Sequence, residues 1–213
     1  MAESAALDGP LLLLACGDWA LEAAARMRRV VASATVVELG DAADGPFAAG
    51  LMRARLGVLF LSRASREGHD GADALTTVRA RFDARSLPHL AVERDAERLW
   101  VGPSVVPGLP GCHSCWEARR RQHGDWLAAL RSPVAASPSP RLAAAAALAV
   151  ARRLFACPAA EAGVVRRLPL AEPTPSIGRV VPVRGCRRCD PLDRPVAGWS
   201  LARARTPLVP TPA

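Results

Sequence analysis

Two cysteine pairs stand 70 residues apart in this chain: Cys112 and Cys115 in Gly-Cys-His-Ser-Cys-Trp, then Cys186 and Cys189 in Gly-Cys-Arg-Arg-Cys-Asp. A two-residue spacing lets both sulfurs of a pair face one point from a tight turn. Zinc takes four thiolates in a tetrahedron, with Zn–S distances of about 2.3 Å. The two pairs together predict one closed site, with Cys112, Cys115, Cys186 and Cys189 as ligands and structural Zn2+ as the metal. Disulfides or free thiols are the other outcomes open to these cysteines. A zinc ribbon or finger keeps its pairs about 12–20 residues apart. Here the metal would instead staple a late segment back onto an earlier one, so the intervening chain must return to its starting point.

A chain of 213 residues, half of them apolar, is long enough for one substantial core. The longest apolar runs, Leu11–Cys16 and Leu142–Val150, fall short of the roughly 20 residues that span a bilayer. The opening Met-Ala-Glu-Ser-Ala-Ala-Leu-Asp lacks a basic region of the kind that starts a signal peptide. A cytoplasmic protein without membrane contact is the expectation. Cytoplasmic thiols stay reduced, which again favours metal over disulfide.

Every basic side chain other than histidine is arginine; lysine, asparagine and tyrosine are absent from the chain. Any mechanism that needs a lysine, such as the phosphate-binding loop lysine or a Schiff base, is excluded. Charge is uneven: residues 1–100 carry a net −2 and residues 101–213 a net +10. A basic second half suits an acidic peptide, an acidic protein face or nucleic acid. If one metal holds all four cysteines, Arg119, Arg120, Arg121, Arg184, Arg187 and Arg188 converge into a positive patch. That patch has only Trp116 interleaved, whereas nucleic-acid binding usually adds stacking platforms or a recognition helix. An acidic protein or peptide is therefore preferred as the partner over nucleic acid.

In the first half, short apolar strands alternate with helical stretches. Pro10–Cys16 predicts a buried central strand and Trp19–Val30 a helix capped by Asp18. Ala34–Leu39 and Leu56–Leu61 predict further strands, and Phe47–Arg55 and Ala72–Ala84 further helices. Strand and helix alternating at this spacing means βαβ units and a mainly parallel sheet. Leu90–Val92 and Leu99–Val101 flank a polar connection and predict a hairpin. Gly102–Gly111, with three prolines, predicts an ordered non-helical loop. Trp116–Arg121 and Asp125–Arg131 predict two short helices, and Arg141–Ala156 a longer one. Gly163–Leu170 and Ile177–Val183 predict paired strands that deliver Cys186. The expected organisation is an α/β region over 1–131, a helix plus strand pair closing the zinc site over 132–190, and a Pro/Arg-rich tail over 191–213.

Other chemistry is thinly represented. The turn Ala15-Cys16-Gly17-Asp18-Trp19-Ala20 sits where a nucleotide-binding fold cradles phosphate. It has one glycine, and Asp18 repels phosphate where a helix N-terminus should attract it. Glu38 stands where a ribose-binding acid would, without the glycines that give such an acid meaning. ATP is therefore not expected as a cofactor. Cys16 and Cys157 close apolar segments and read as buried structural thiols. His113 sits between two cysteines and could replace one of them as a ligand; His69, His89 and His123 share no spacing that suggests a site.

The segment Val101-Gly-Pro-Ser-Val-Val-Pro-Gly-Leu-Pro-Gly-Cys-His-Ser-Cys-Trp-Glu-Ala-Arg-Arg, followed by Asp125-Trp126, resembles the Gly-Pro-x-x-x-Pro-Gly…Cys-x-x-Cys segment of ThiF-like partner proteins of cyclodehydratases. Val180-Val-Pro-Val-Arg-Gly-Cys-Arg-Arg-Cys is similar to that family's closing segment. The resemblance covers about residues 100 to 190, and the earlier part in layout. It implies a relative of the ThiF/MoeB superfamily with a degenerate, Rossmann-like sheet and the four cysteines as structural zinc ligands. It also implies a non-catalytic role: binding the leader of a precursor peptide and presenting it to a YcaO-type cyclodehydratase. That enzyme makes thiazole and oxazole rings in bacteriocin-like peptides. A second copy of the chain is a further candidate partner. Many such proteins begin with a winged-helix recognition module; with the first strand at Leu11, another subunit is expected to supply it. The rival reading is an ATP-dependent adenylating enzyme of the ThiF/MoeB type, and a zinc-containing nucleic-acid binder is the third.

Overall fold

The computed structural model describes residues 9–41, 45–62, 69–95, 98–129, 137–169 and 175–189. The expected tail over 191–213, and residues 130–136, lie outside them. Within them the chain forms a seven-stranded sheet flanked by helices.

The strands are β1 (Leu11–Ala15), β2 (Thr35–Glu38), β3 (Leu56–Ser62), β4 (His89–Asp95), β5 (Arg98–Val105), β6 (Val164–Pro169) and β7 (Ser176–Arg179). The helices are α1 (Asp18–Val30), α2 (Gly45–Arg53), α3 (His69–Ala84), α4 (His113–Ala129), α5 (Pro140–Ala156) and the single turn α6 (Pro158–Glu161). The strand order is β2-β1-β3-β4-β5-β6-β7. β2, β1, β3 and β4 pair in parallel, and from β4 onward every pairing is antiparallel. The expected mainly parallel sheet thus describes its first four strands. The switch has a simple cause: parallel neighbours need a crossover of a dozen or more residues, and β4 to β5 has none.

The apolar runs of β1 and β3 are buried on both faces because helices cover both sides. On one face Leu11, Leu13, Val58, Phe60, Val92 and Val101 meet α1 and α5. On the other, Leu12, Leu14, Leu59 and Leu61 meet Phe47 and Leu51 of α2 and Leu75, Val78 and Phe82 of α3. Ser139 caps α5, its hydroxyl accepting from the Leu142 amide at 3.2 Å, with Pro140 at the first helical position.

Three local expectations are corrected. Gly17, not Asp18, stands at the cap of α1, without a side-chain cap bond; Asp18 is the first helical residue. Residues 102–105 continue β5 rather than opening a loop, reached through a cis Gly102–Pro103 peptide. α4 is one helix where two short ones are predicted, running through Gly124. A mid-helix glycine costs only about 1 kcal/mol, less than an end and a restart would.

Candidate metal centre

β5 carries the chain past the sheet and the turn after it delivers Gly111, whose backbone crosses Gly163 just before β6. A Cβ on Gly111 would lie 2.5 Å from the Gly163 Cα, and the Gly111 φ is +102°, so no other residue fits this crossing. The Gly163 amide donates to the Ser104 carbonyl at 2.8 Å and the Val180 amide to the Gly163 carbonyl at 2.8 Å. Those two bonds fix the segment before α4 against the one that follows β7.

From this crossing the two cysteine turns face each other. Cys112 precedes α4, and its carbonyl accepts from the Trp116 amide at 3.1 Å, so Cys115 falls in the first helical turn. The second turn is closed by Cys186 N to Val183 O at 3.2 Å and Cys189 N to Cys186 O at 3.1 Å. The sulfurs of Cys112, Cys115, Cys186 and Cys189 all lie within 4.8 Å of one another. The Cys112 and Cys186 sulfurs are 3.6 Å apart, and the edge of a tetrahedron with 2.3 Å arms is about 3.8 Å. All-thiolate donors at this separation suit a closed zinc site, and the geometry admits one.

Electrostatics point the same way. The Cys189 thiol is pulled down to about 5, chiefly by the hydrogen bond from Cys112, with the amides of Cys112 and Gly111 assisting against burial. Cys112 is pushed up by that same bond and by burial, and burial holds Cys115 up at about 11. One thiolate is thus favoured at the cost of its neighbours, since four adjacent negative charges cannot persist without a cation among them. The Val183 amide donates to Cys115 Sγ at 3.3 Å, the kind of support that orients a ligand.

The surround is tightly built. Trp100, Val165, Val180 and Trp116 pack on the cysteines. Arg120 lies over the rings of Trp100 and Trp116, 5.6 and 5.7 Å from their centroids, and bonds Glu93 at 2.7 Å. Arg119 donates to the carbonyls of Val181 and Pro182 at 3.3 and 3.1 Å. Arg79 bonds Glu117 at 2.9 Å, and Arg188 pairs with Asp83. The predicted arginine patch is therefore reduced: Arg119, Arg120 and Arg188 are turned to structural partners, while Arg121, Arg184 and Arg187 are exposed. Sequence reasoning missed the Trp116–Arg120 pair, although its i,i+4 spacing on a helix was the available signal.

His113 is buried and its ring stacks on His89, centroids 5.8 Å apart. His89 donates from Nδ1 to Leu87 O at 3.1 Å, and burial lowers its pKa to about 4. The side chains of His69 and His123 lie outside the described residues. Cys16 is half-buried at the end of β1, but Cys157 is exposed, which corrects its reading as a buried thiol. At the turn after β1, Gly17 and Asp18 are exposed and Glu38 ends β2.

No family model matches the chain, and no curated protein matches it. Solved structures do. The heterocyclase TruD is similar with a TM-score of 0.54 at 18% identity, over 87% of this chain and 28% of that one. The E. coli microcin synthetase McbBCD complex gives 0.56 at 13% identity, over 87% of this chain and 70% of that one. E. coli MccB gives 0.54 at 12% identity, over 87% and 66%. The chain spans just over a quarter of the heterocyclase's length. At these identities what is shared is the fold.

Proposed function

We propose that this chain is a non-catalytic partner of a YcaO-type cyclodehydratase in azole-modified peptide biosynthesis, helping to bind and present the precursor peptide. The observation that carries the reading is the shared fold with the TruD heterocyclase and the microcin synthetase complex over 87% of the chain. The cysteine turns and the Gly-Pro-containing segment before them support it, because they are the features by which the sequence resembles cyclodehydratase partners. The α/β part is then a Rossmann-like sheet whose nucleotide site has decayed. Its strand order, β2-β1-β3-β4, puts a reversal between β1 and β3, where open α/β sheets bind ligands. The turn there offers phosphate one glycine and the exposed carboxylate of Asp18.

In this reading Cys112, Cys115, Cys186 and Cys189 hold zinc, whose chemistry is structural: four thiolates leave no open position for substrate. The chain's own residues do the rest, Gly111 and Gly163 setting the approach of the two turns and Arg119 and Arg120 fixing α4 over the site.

Reconstitution tests the role. A YcaO-type enzyme, its precursor and this chain together should heterocyclise the precursor, read as loss of one water per ring by mass spectrometry. Omitting the chain should slow the reaction strongly; equal rates without it would sink the proposal. The second reading, an adenylating enzyme, draws on MccB, one of whose similar structures holds the nucleotide analogue AMPCPP. ATP–pyrophosphate exchange by the purified chain separates the two: exchange favours adenylation, and no ATP binding excludes it.

A further inference from the structure

Among the described residues the sheet ends at β7, and all four of its residues are exposed. Which of its backbone groups face outward follows from those that face inward. The Val180 amide donates to Gly163 O, and Gly178 stands opposite Val165 in the ladder. Bonded and non-bonded positions alternate along an antiparallel pair. Ile177 and Arg179 therefore turn their N–H and C=O groups away from β6, to the open side.

Proteins commonly blunt such an edge with a charge or a proline. β7 has no proline, and its one charge is diverted. The Arg179 guanidinium folds back to the carbonyls of Ala162 and Ala160, the second at 2.8 Å. On the same side of the strand Ile177 is 71% exposed and Val181 is 60% exposed. Among the described residues the edge is thus apolar, hydrogen-bond capable and unguarded along Ile177–Arg179. Arg119 closes it beyond, holding the carbonyls of Val181 and Pro182. Charge selects the occupant. From Ser176 to Cys189 the chain has four arginines and no acid, and Arg184 and Arg187, which follow the strand in the chain, are exposed. A second copy pairing β7 to β7 would bring two such runs together and repel itself.

We propose that β7 is a docking edge for an extended acidic peptide segment, which adds as an eighth strand. Its backbone pairs with Ile177 and Arg179, its apolar side chains cover Ile177 and Val181, and its carboxylates meet Arg184 and Arg187. The site stands independently of any cyclodehydratase partnership.

Fluorescence anisotropy with a labelled peptide of alternating Glu and Val tests it on the full chain. Binding should weaken as salt rises. Ile177→Pro removes an outward N–H without touching the ladder to β6, so it should weaken binding about tenfold or more while the thermal midpoint holds. Arg184→Glu with Arg187→Glu should do the same and abolish the salt dependence. Hydrogen exchange of the Ile177 and Arg179 amides should slow only when peptide is present. The proposal is overturned if the peptide does not bind, or if it binds the Ile177→Pro chain equally well. It is also overturned if those amides are protected without peptide, which would mean residues 190–213 or a second copy cover the edge; sedimentation tells these two apart.

Discussion

Cys186 Sγ comes to 3.6 Å from Cys112 Sγ across 74 positions of sequence. In the proposed zinc site any one of the four cysteines is then a single point of failure. Cys186→Ser should cut bound zinc from one per chain to a small fraction by elemental analysis and lower the thermal midpoint. Cys157→Ser, at an exposed thiol outside the cluster, should change neither. Cross-linking a loop of this size is worth on the order of 4 kcal/mol by the chain-entropy argument, so the loss is well within measurement. His89 gives a prediction of a different kind. Its folded value, about 4, lies below the ordinary 6.5 because burial disfavours the charged ring. The unfolded state therefore binds the proton first as pH falls. Stability is full above about pH 6.5 and declines down to about pH 4, by roughly 3 kcal/mol at 1.36 kcal/mol per unit. Thermal melts across that range should show the slope, and His89→Phe should flatten it; an unchanged slope would assign it elsewhere.

At the scale of elements, α6 is a single turn and cannot hold itself, so its anchorage is polar. Glu161, whose side chain is 2% exposed, takes Arg153 of α5 and Arg166 of β6, each at 2.7 Å. Glu161→Gln leaves two arginines without their carboxylate and should cost about 2–3 kcal/mol, below the usual cost of breaking a fully buried pair because Arg153 is solvated. Urea unfolding checks this. The Gly111–Gly163 crossing makes a sharper comparison. Gly108 and Gly111 both have positive φ, but a Cβ on Gly108 meets nothing within 4 Å. Gly108→Ala should cost about 1–2 kcal/mol from the left-handed backbone alone. Gly111→Ala should cost clearly more and loosen the cysteine site, seen as faster zinc loss to a chelator. Equal costs would mean the crossing does not constrain the site. Much at this scale was legible from sequence. Runs such as Leu11–Ala15 and Leu56–Ser62 announce buried strands, and the Ala/Leu periodicity after Ser139-Pro140 announces α5. α4 was misread because Gly124 weighs as a breaker in a sequence and only as a small penalty in a packed helix.

Across the whole molecule, two apolar cores sandwich β1, β3 and β4 between helices, while the cysteines belong to a third, smaller cluster with Trp100, Val165 and Val180. Removing metal from the proposed zinc site should therefore act unevenly. Chelation should raise hydrogen exchange across β7 and residues 180–189 first, leaving β1 and β3 protected; uniform exposure would mean the clamp supports the entire fold. No helix among the described residues is long and apolar enough to cross a membrane. Local chemistry was enough to nominate the four cysteines and the strands and helices of the first half, because spacing and apolar period are properties of neighbouring residues. Only the tertiary structure decided the antiparallel half of the sheet, the diversion of Arg120 and Arg188 to acidic partners, and the bare edge at β7. Each depends on which distant segments meet, and that is set by burying all the apolar faces at once, a condition no short stretch of sequence contains.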